Sequence, residues 1–412
     1  MSDRNLSINL DRLLSRLQAL GQIGALEGGG VCRLALSDED KQGRDLVIRW
    51  MRELGLSVTI DRIGNVVGVR PGREPGPPVM AGSHIDTVRT GGLYDGSLGV
   101  LAGLEVIQTL NEAEITTTRP LAVAFFTNEE GSRFAPDMMG SLVFQGGMSV
   151  EEALRTVGID GTTVEENLNR IGYAGEAPCG DPKLHAYVEL HVEQGPVLEE
   201  EGVVIGAVEG VQGISWTEVL VEGVSNHAGT TPMRLRHDAG YIAGATIAFV
   251  RDLALRLGGN QVATVGSIEF KPNLVNVIPE QARFTVDLRN TDEERLQTAE
   301  SELAAFLDNL AKSEGVKISR RSLARFEPVA FDPSMVERVD RIARELGYSV
   351  RRMPSGAGHD AQILARVCPT SMIFVPSIGG ISHNVTEFTH PEHIEAGANV
   401  LLRTLLELAD AA

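Results

Sequence analysis

Pro78-Val79-Met80-Ala81-Gly82-Ser83-His84-Ile85-Asp86-Thr87 runs from an apolar stretch straight into a histidine and an aspartate. Residues 78–82 read as a strand, because an unbroken apolar run with polar flanks suits a strand covered on both faces. Leu98–Leu110 follows as a helix and Leu121–Phe126 as a second apolar strand. This alternation predicts an α/β core with a substantial mixed sheet. Upstream, Leu10, Leu13, Leu14 and Leu17 fall on one stripe of an amphipathic helix. Ser37-Asp38-Glu39-Asp40 opens another, with a capping hydroxyl and an acid three residues on. Leu46, Val47, Trp50 and Leu54 give that helix its buried face, and Ser57–Ile60 and Asn65–Arg70 are short β-rich runs.

Further along, Val188, Leu190 and Val192 alternate with Glu189, His191 and Glu193, the pattern of a strand with one polar face. From about Val211 the texture changes. Trp216–Val221, Val262–Glu269, Glu280–Arg289 and Val316–Ala324 read as strands, with helices at Tyr241–Leu257 and Asp292–Ser313. The order β-α-β-β-α-β is that of a ferredoxin-like α+β unit. The expected organisation is therefore one α/β domain made of residues 1–210 and 327–412, interrupted by an inserted domain at 211–326.

The chain has 412 residues, 42% hydrophobic and 23% charged, enough to bury a large core. Its net charge of −19 disfavours nucleic acid and anionic membrane as partners, since both call for a basic face. A small anionic ligand would need a locally cationic pocket. Cys32, Cys179 and Cys368 are far apart and form no CxxC pair, which argues against a cysteine zinc site and suits a reducing compartment. Met1–Leu20 lacks the uninterrupted apolar core of a signal peptide, and no run approaches membrane-spanning length. The expected address is the cytoplasm.

Histidines and carboxylates gather at strand ends and in glycine-rich loops, where α/β folds place their sites. His84 can bind a metal through one ring nitrogen, with Asp86 placed to accept the other N–H. Asp95 sits among Gly91, Gly92 and Gly96, which free the backbone to present a carboxylate able to bridge two cations. Glu129 and Glu130 close the Leu121–Phe126 strand. Adjacent carboxylates tolerate each other beside cations, and one can bind metal while the other acts as base. His191, followed by Glu193 and Gln194, and the late Gly380-Ile381-Ser382-His383-Asn384 complete the set. No HExxH, GxSxG, P-loop or GxGxxG is present. A lone histidine after a strand is most often structural, but three of them with a loop aspartate and a Glu-Glu pair fit a two-metal site.

His84-Ile85-Asp86, Asp95-Gly96, Glu129-Glu130 and Ser382-His383-Asn384 resemble the di-zinc aminoacylase and exopeptidase superfamily. Where peptidase relatives carry an acidic third ligand, this chain has His191-Val192-Glu193-Gln194-Gly195, which resembles the hydantoinase/carbamoylase amidases. Ser225–Met233, Asn273–Pro279 and Ser355–Ala361 match the same group. That group includes N-carbamoyl-L-amino acid hydrolases, β-ureidopropionases and allantoate amidohydrolases.

The resemblance implies one divalent ion on His84 and His191, a second on Glu130 and His383, and Asp95 bridging them. The ions would be zinc foremost, with manganese, cobalt or nickel also compatible with such ligands. It implies Glu129 as general base, Asp86 as the holder of His84, and His227 as oxyanion stabiliser in the partner subunit's site of a homodimer. Gln194, Asn276, Arg289 and Gly358 would bind a small ureido acid. The inserted domain would serve as dimerisation domain or lid. Arg289 also fits the charge argument: Ala282, Phe284, Val286 and Leu288 alternate with Arg283, Thr285, Asp287 and Arg289, leaving an arginine fork on an open sheet face for a substrate carboxylate. The expected reaction is hydrolysis of the carbamoyl C–N bond of N-carbamoyl-L-amino acids. Allantoate amidohydrolase and β-ureidopropionase are the alternatives, with Arg133-Phe134-Ala135-Pro136 resembling the carbamoylases. A binding protein merely stapled by metals is the reading from another class.

Overall fold

The structure is a computed structural model and describes residues 6–410. Two units divide the chain: residues up to Gly210 together with those from Ala330 onward, and Val211–Val329. In chain order the strands are β1 (Ser57–Ile60), β2 (Val66–Arg70), β3 (Val79–His84), β4 (Leu121–Phe126), β5 (Ala186–Val192) and β6 (Ile205–Val211). Then come β7 (Gly213–Glu222), β8 (Asn226–His227), β9 (Val262–Lys271), β10 (Val277–Ile278), β11 (Gln281–Asn290) and β12 (Lys317–Phe326). The last are β13 (Val329–Ala330), β14 (Val350–Ser355) and β15 (Thr370–Val375).

A nine-stranded sheet forms the larger unit, in the order β1-β2-β4-β3-β5-β15-β6-β13, with β14 beside β6. Its four central strands, β4, β3, β5 and β15, are mutually parallel. Antiparallel neighbours flank them, β2 against β4 and β6 against β15. Every residue of these four central strands is buried. Parallel strands covered on both faces need near-continuous apolar sequence, and Leu121–Phe126 supplies it. β3 runs two residues beyond the expected end, so His84 is the last residue of the strand rather than the start of a loop.

The polar face expected for β5 is not solvated. Glu189 and His191 point into the protein, where the Glu189 carboxylate accepts from the Ser83 hydroxyl (2.6 Å) and the Ala361 amide (2.9 Å). Three helices matter for the site: α1 (Leu10–Gly21), α2 (Asp38–Glu53) and α3 (Ser97–Glu112). Nearly all of α3 is buried, because sheet lies on one side and α1 and the C-terminal helix Pro391–Asp410 lie on the other. Ser37 caps α2 as its sequence suggests, accepting from the Asp40 amide. The Asp40 carboxylate does not complete a capping box. It takes the Leu36 amide (2.7 Å) and pairs with fully buried Arg44 (2.8 Å).

In the second unit β7, β9, β11 and β12 form an antiparallel sheet in the order β12-β7-β11-β9. The helices Ala239–Leu257 and Glu293–Glu314 pack on it through a core that includes Val219, Val221, Ile242, Phe284, Val286, Leu296 and Leu307. Strand, helix, strand, strand, helix, strand is the order in which the long elements come, with the short β8–β10 ladder added. Alternation along β11 puts Ala282, Phe284, Val286 and Leu288 into that core, each 1% exposed or less. Phe284→Ala should therefore destabilise this unit by about 3–5 kcal/mol. Denaturant unfolding followed by circular dichroism would show the loss; a change below about 1 kcal/mol would contradict this packing.

Candidate metal centre

Five side chains from four strand ends and one helix start converge in the larger unit. His84 ends β3, His191 lies next to the end of β5, Glu130 follows β4, His383 follows β15, and Asp95 precedes α3. Two groups of potential ligand atoms result, His84–Asp95–His191 and Asp95–Glu130–His383, and Asp95 belongs to both. Its Oδ1 lies 3.5 Å from His84 Nε2 and 3.3 Å from His191 Nε2. Its Oδ2 lies 3.4 Å from His383 Nε2, which is also 3.4 Å from a Glu130 oxygen. Ligands about 2.0–2.1 Å from a tetrahedral ion stand about 3.3–3.4 Å apart, so these separations match the edges of a metal's coordination shell.

The imidazoles are set up for that role. His84 Nδ1 faces the main-chain oxygen of Asp86 at 2.9 Å, and His191 Nδ1 faces that of Val192 at 2.9 Å. Both oxygens accept from Nδ1–H, so each Nε2 faces Asp95, as a donor while the ring is protonated and as a candidate ligand atom once an ion displaces that proton. The Asp86 carboxylate was expected to hold His84, and it does something else. It accepts the amides of Glu129 (3.2 Å) and Glu130 (3.3 Å), because the turn after β4 brings two unpaired N–H groups against it. Asp86 thus orients the Glu-Glu pair with its side chain and His84 with its backbone.

Glu129 belongs to neither ligand group, yet one of its oxygens is 3.4 Å from His84 Nε2. Gln194 donates from Nε2 to Asp95 Oδ2 (2.9 Å), while its Oε1 is buried without a partner. Gly358 lies on the loop before His359, near Met138. Arg133 donates to the Ala35 carbonyl, Asp160 and Asn167, so its stretch braces a loop.

Two site residues escaped the sequence reading. Glu387, buried, accepts the amides of Tyr94 and Asp95 at 3.2 Å each and so fixes the backbone that carries the carboxylate shared by the two groups. Its position 292 residues away gives no local signal. His359 stacks edge-on against His191 and bonds the Ser355 hydroxyl (3.0 Å). Glu189, His191 and His359 lie close enough to suggest another ion, but the Glu189 oxygens and His191 Nδ1 are already hydrogen-bonded, so the trio is supporting structure.

His227, Asn276 and Arg289 belong to the second unit. β8 pairs with β10, placing His227 opposite Val277, and the Ala228 amide donates to the Asn276 carbonyl. The amides of Gly229 and Thr230 both donate to His227 Nδ1, which puts its proton on exposed Nε2. Arg289 lies on the sheet face away from the helices, its Nε and Nη2 on the Asp287 carboxylate and its guanidinium over Trp216.

Electrostatics follow from the crowding. Burial opposes ionisation of Asp95, but hydrogen bonds with His191, His383 and His84 outweigh it and hold the carboxyl well below its ordinary range. Burial, reinforced by Asp360 and Glu130, pushes Glu129 well up. Burial and Asp95 push Glu130 up to about 8, and the hydrogen bond with Asp95 raises His383 to about 9.

Residues 80–407 match Peptidase family M20/M25/M40. An N-carbamoyl-L-amino-acid amidohydrolase from Rhizobium meliloti is 42% identical over 407 residues, 98% of each chain. An allantoate amidohydrolase from Bacillus subtilis is 34% identical, covering 99% of this chain and 100% of that protein. A crystal structure of a hydantoinase/carbamoylase family amidase from Burkholderia multivorans superposes with a TM-score of 0.96 at 47% identity, covering 98% of both. Fold and site thus define a hydrolase with a candidate two-ion centre. The chain belongs to the M20/M25/M40 family and, within it, to the hydantoinase/carbamoylase amidases.

Two outcomes follow from this geometry. Gly96 has φ +63°, and a Cβ there would lie 2.4 Å from His84 Cε1 and Nε2. Gly96→Ala should therefore cost the protein one of two bound ions without unfolding it, read as metal content after dialysis; full occupancy would contradict the geometry. The second concerns pH. His383 and Glu130 hold protons up to about 9 and about 8, and an ion must displace them. Affinity should rise with pH toward about 9 and then level off. Calorimetric titration with Zn²⁺ in buffers of different ionisation enthalpy should show net proton release at neutral pH, and none would contradict the assignment.

Proposed function

We propose that this enzyme hydrolyses the carbamoyl C–N bond of N-carbamoyl-L-amino acids, giving the amino acid, carbon dioxide and ammonia. The observation that carries the reading is Asp95 shared by two ligand groups, with uncoordinated Glu129 beside one of them. His84, His191 and Asp95 would hold one divalent ion, and Glu130, His383 and Asp95 the other, zinc foremost. Such a pair of ions lowers the pKa of a water toward neutrality and polarises a carbonyl.

The protein's own groups do the rest. Glu129 accepts the water's proton as oxygen attacks the ureido carbon, and its burial makes it a strong base once cations favour its charged form. It then passes the proton to the amino-acid nitrogen as the C–N bond breaks, leaving a carbamate that falls apart to carbon dioxide and ammonia. His227 offers its Nε2–H to the developing oxyanion. Arg289, its plane fixed by Asp287, takes the substrate carboxylate, and Gln194, Asn276 and Gly358 contact the remaining polar atoms.

The second unit serves as dimerisation domain or lid in this reading. Tyr241, Ile247 and Leu255 on its first helix and Val262 and Ile268 on edge strand β9 are exposed apolar side chains suited to a second copy. Among the described residues no helix is long and apolar enough to cross a membrane. The three free cysteines fit a cytoplasmic address.

The test is ammonia release from a panel of N-carbamoyl-L-amino acids, β-ureidopropionate and allantoate, run on the metal-loaded protein and on Glu129→Gln. N-carbamoyl-L-amino acids should give the highest kcat/KM. Glu129→Gln should keep both ions and lose about 10²–10⁴-fold in kcat. Preference for allantoate would shift the assignment to the alternative amidohydrolase, and ample turnover by Glu129→Gln would remove Glu129 as base.

A further inference from the structure

Arg33 is 2% exposed, and among the described residues no carboxylate lies within ion-pair distance of it. A buried guanidinium without such a partner has to place its donors elsewhere, since leaving them unpaired costs several kcal/mol. Nε donates to the Ile85 carbonyl (2.7 Å), Nη1 to the carbonyls of Leu20 (3.1 Å) and Ile23 (2.9 Å), and Nη2 to the Ser97 hydroxyl (3.3 Å). The main chain of the same residue is equally occupied: its amide donates to Thr87 Oγ1 (2.8 Å), and its carbonyl accepts the Thr87 amide (2.9 Å). Two residues earlier Val31 pairs with Gly91. Residues 31–33 are thus strapped along 87–91, between the end of β3, which carries His84, and the loop that carries Asp95.

The consequence runs through a single peptide unit. His84 owes its orientation to the Asp86 carbonyl, and the preceding carbonyl, Ile85, is held by Arg33. Turning the Ile85–Asp86 peptide would move the acceptor of His84 Nδ1. It would also move the Asp86 carboxylate, which receives the amides of Glu129 and Glu130. On the other side Arg33 holds Ser97, the first residue of α3 and two residues after Asp95.

We propose that Arg33 is a positioning residue of the metal centre, which through the Ile85–Asp86 peptide and Ser97 keeps His84 and Asp95 in place to capture one ion. This rests on the reading of His84, Asp95 and His191 as ligands. Arg33 touches neither ion nor substrate. Its shortest links run to the His84 side, through the Ile85 carbonyl, while the Glu130–His383 side is reached less directly, through the Asp86 carboxylate on the Glu130 amide (3.3 Å) and the Val88 amide on Glu130 Oε1 (3.3 Å).

The experiment compares the parent protein with Arg33→Met, Arg33→Lys and Leu17→Ala. Leu17 is a buried residue of α1 and serves as a control for lost stability. Ion affinities are measured by competition with a chromophoric chelator, and Co²⁺-loaded samples report each site by visible absorption. Arg33→Met should weaken one of two ions about 10–100-fold, the usual effect of losing an outer partner of a ligand, and weaken the other distinctly less. The Co²⁺ spectrum should alter most for the ion that is weakened more, and an equal loss at both ions would contradict the link through His84. Arg33→Lys should fall between, since an ammonium is a point donor without the guanidinium fork. Leu17→Ala should lower the melting temperature with little effect on either ion. Should Arg33→Met fail to fold, Thr87→Val removes the hydroxyl that accepts the Arg33 amide and should weaken the same ion.

Parent-like affinities in Arg33→Met, no shift in Thr87→Val, or an equal loss in Leu17→Ala would each overturn the role of Arg33. A parent that takes up two ions while Arg33→Met holds both equally well overturns that role alone. A parent that takes up no divalent ion overturns the metal-centre reading as well.

Discussion

Asp95 has to serve two sets of neighbours with one carboxylate. Its Oδ1 faces His84 and His191, and its Oδ2 faces His383 and the Gln194 amide. A side chain with one rotatable carboxyl group meets both demands only if its backbone is held rigidly. Glu387 does this by accepting two consecutive amides at Tyr94 and Asp95. Gly92 makes room for that carboxylate, because a Cβ there would lie 2.2 Å from Glu387 Oε1. Gly96 then lets the chain turn into α3 directly beneath the His84 ring. The parallel strands β3, β4, β5 and β15 deliver the other candidate ligands to the same edge, since parallel strands end side by side and so do the loops that leave them.

The same concentration of acids would be costly in an ordinary interior, where a carboxylate without donors loses its hydration. Here most of the carboxylates behind the ligands are paired with main-chain amides. Asp86 has those of Glu129 and Glu130, Glu387 those of Tyr94 and Asp95, and Glu189 that of Ala361. Two buried arginines add positive charge behind the ligands. Arg33 braces the turn after β3, and Arg44 joins Asp40 to the Gly64 carbonyl and the Thr127 hydroxyl just before the Glu-Glu pair. The carboxylates of the candidate centre are thereby presented as a rigid set, which is what a two-ion centre would require of its protein.

Much of this was legible in the sequence, and the pattern of success has a physical cause. Strand periodicity at Leu121–Phe126 and helix periodicity at Leu98–Leu110 are local properties, and ligands at strand ends follow from them. The six-element order after Val211 was legible for the same reason. What stayed hidden depends on contacts between distant residues. Ser83 meeting Glu189 turns an apparent polar strand face inward, and nothing near residue 189 announces it. Glu387 reaches Asp95 across 292 residues and Arg33 reaches Ile85 across 52. Asp86 holds His84 as expected, but spacing cannot tell its carboxylate from the backbone oxygen that accepts the ring N–H.

The second unit poses a different problem, because its polar groups are poised rather than buried. His227 keeps Nε2–H exposed because two amides occupy Nδ1, so the ring can only donate outward while it is neutral. In the proposed role, an outward N–H donor would strengthen its bond as charge develops on the oxyanion. Arg289 shows the complementary choice. Asp287 fixes its plane and offsets its charge, so in the proposed role a substrate carboxylate would meet an oriented fork with part of the ordering entropy already spent. Orientation is thus built into the second unit by local contacts between near neighbours in sequence, whereas in the larger unit it depends on contacts as distant as that of Glu387 with Asp95.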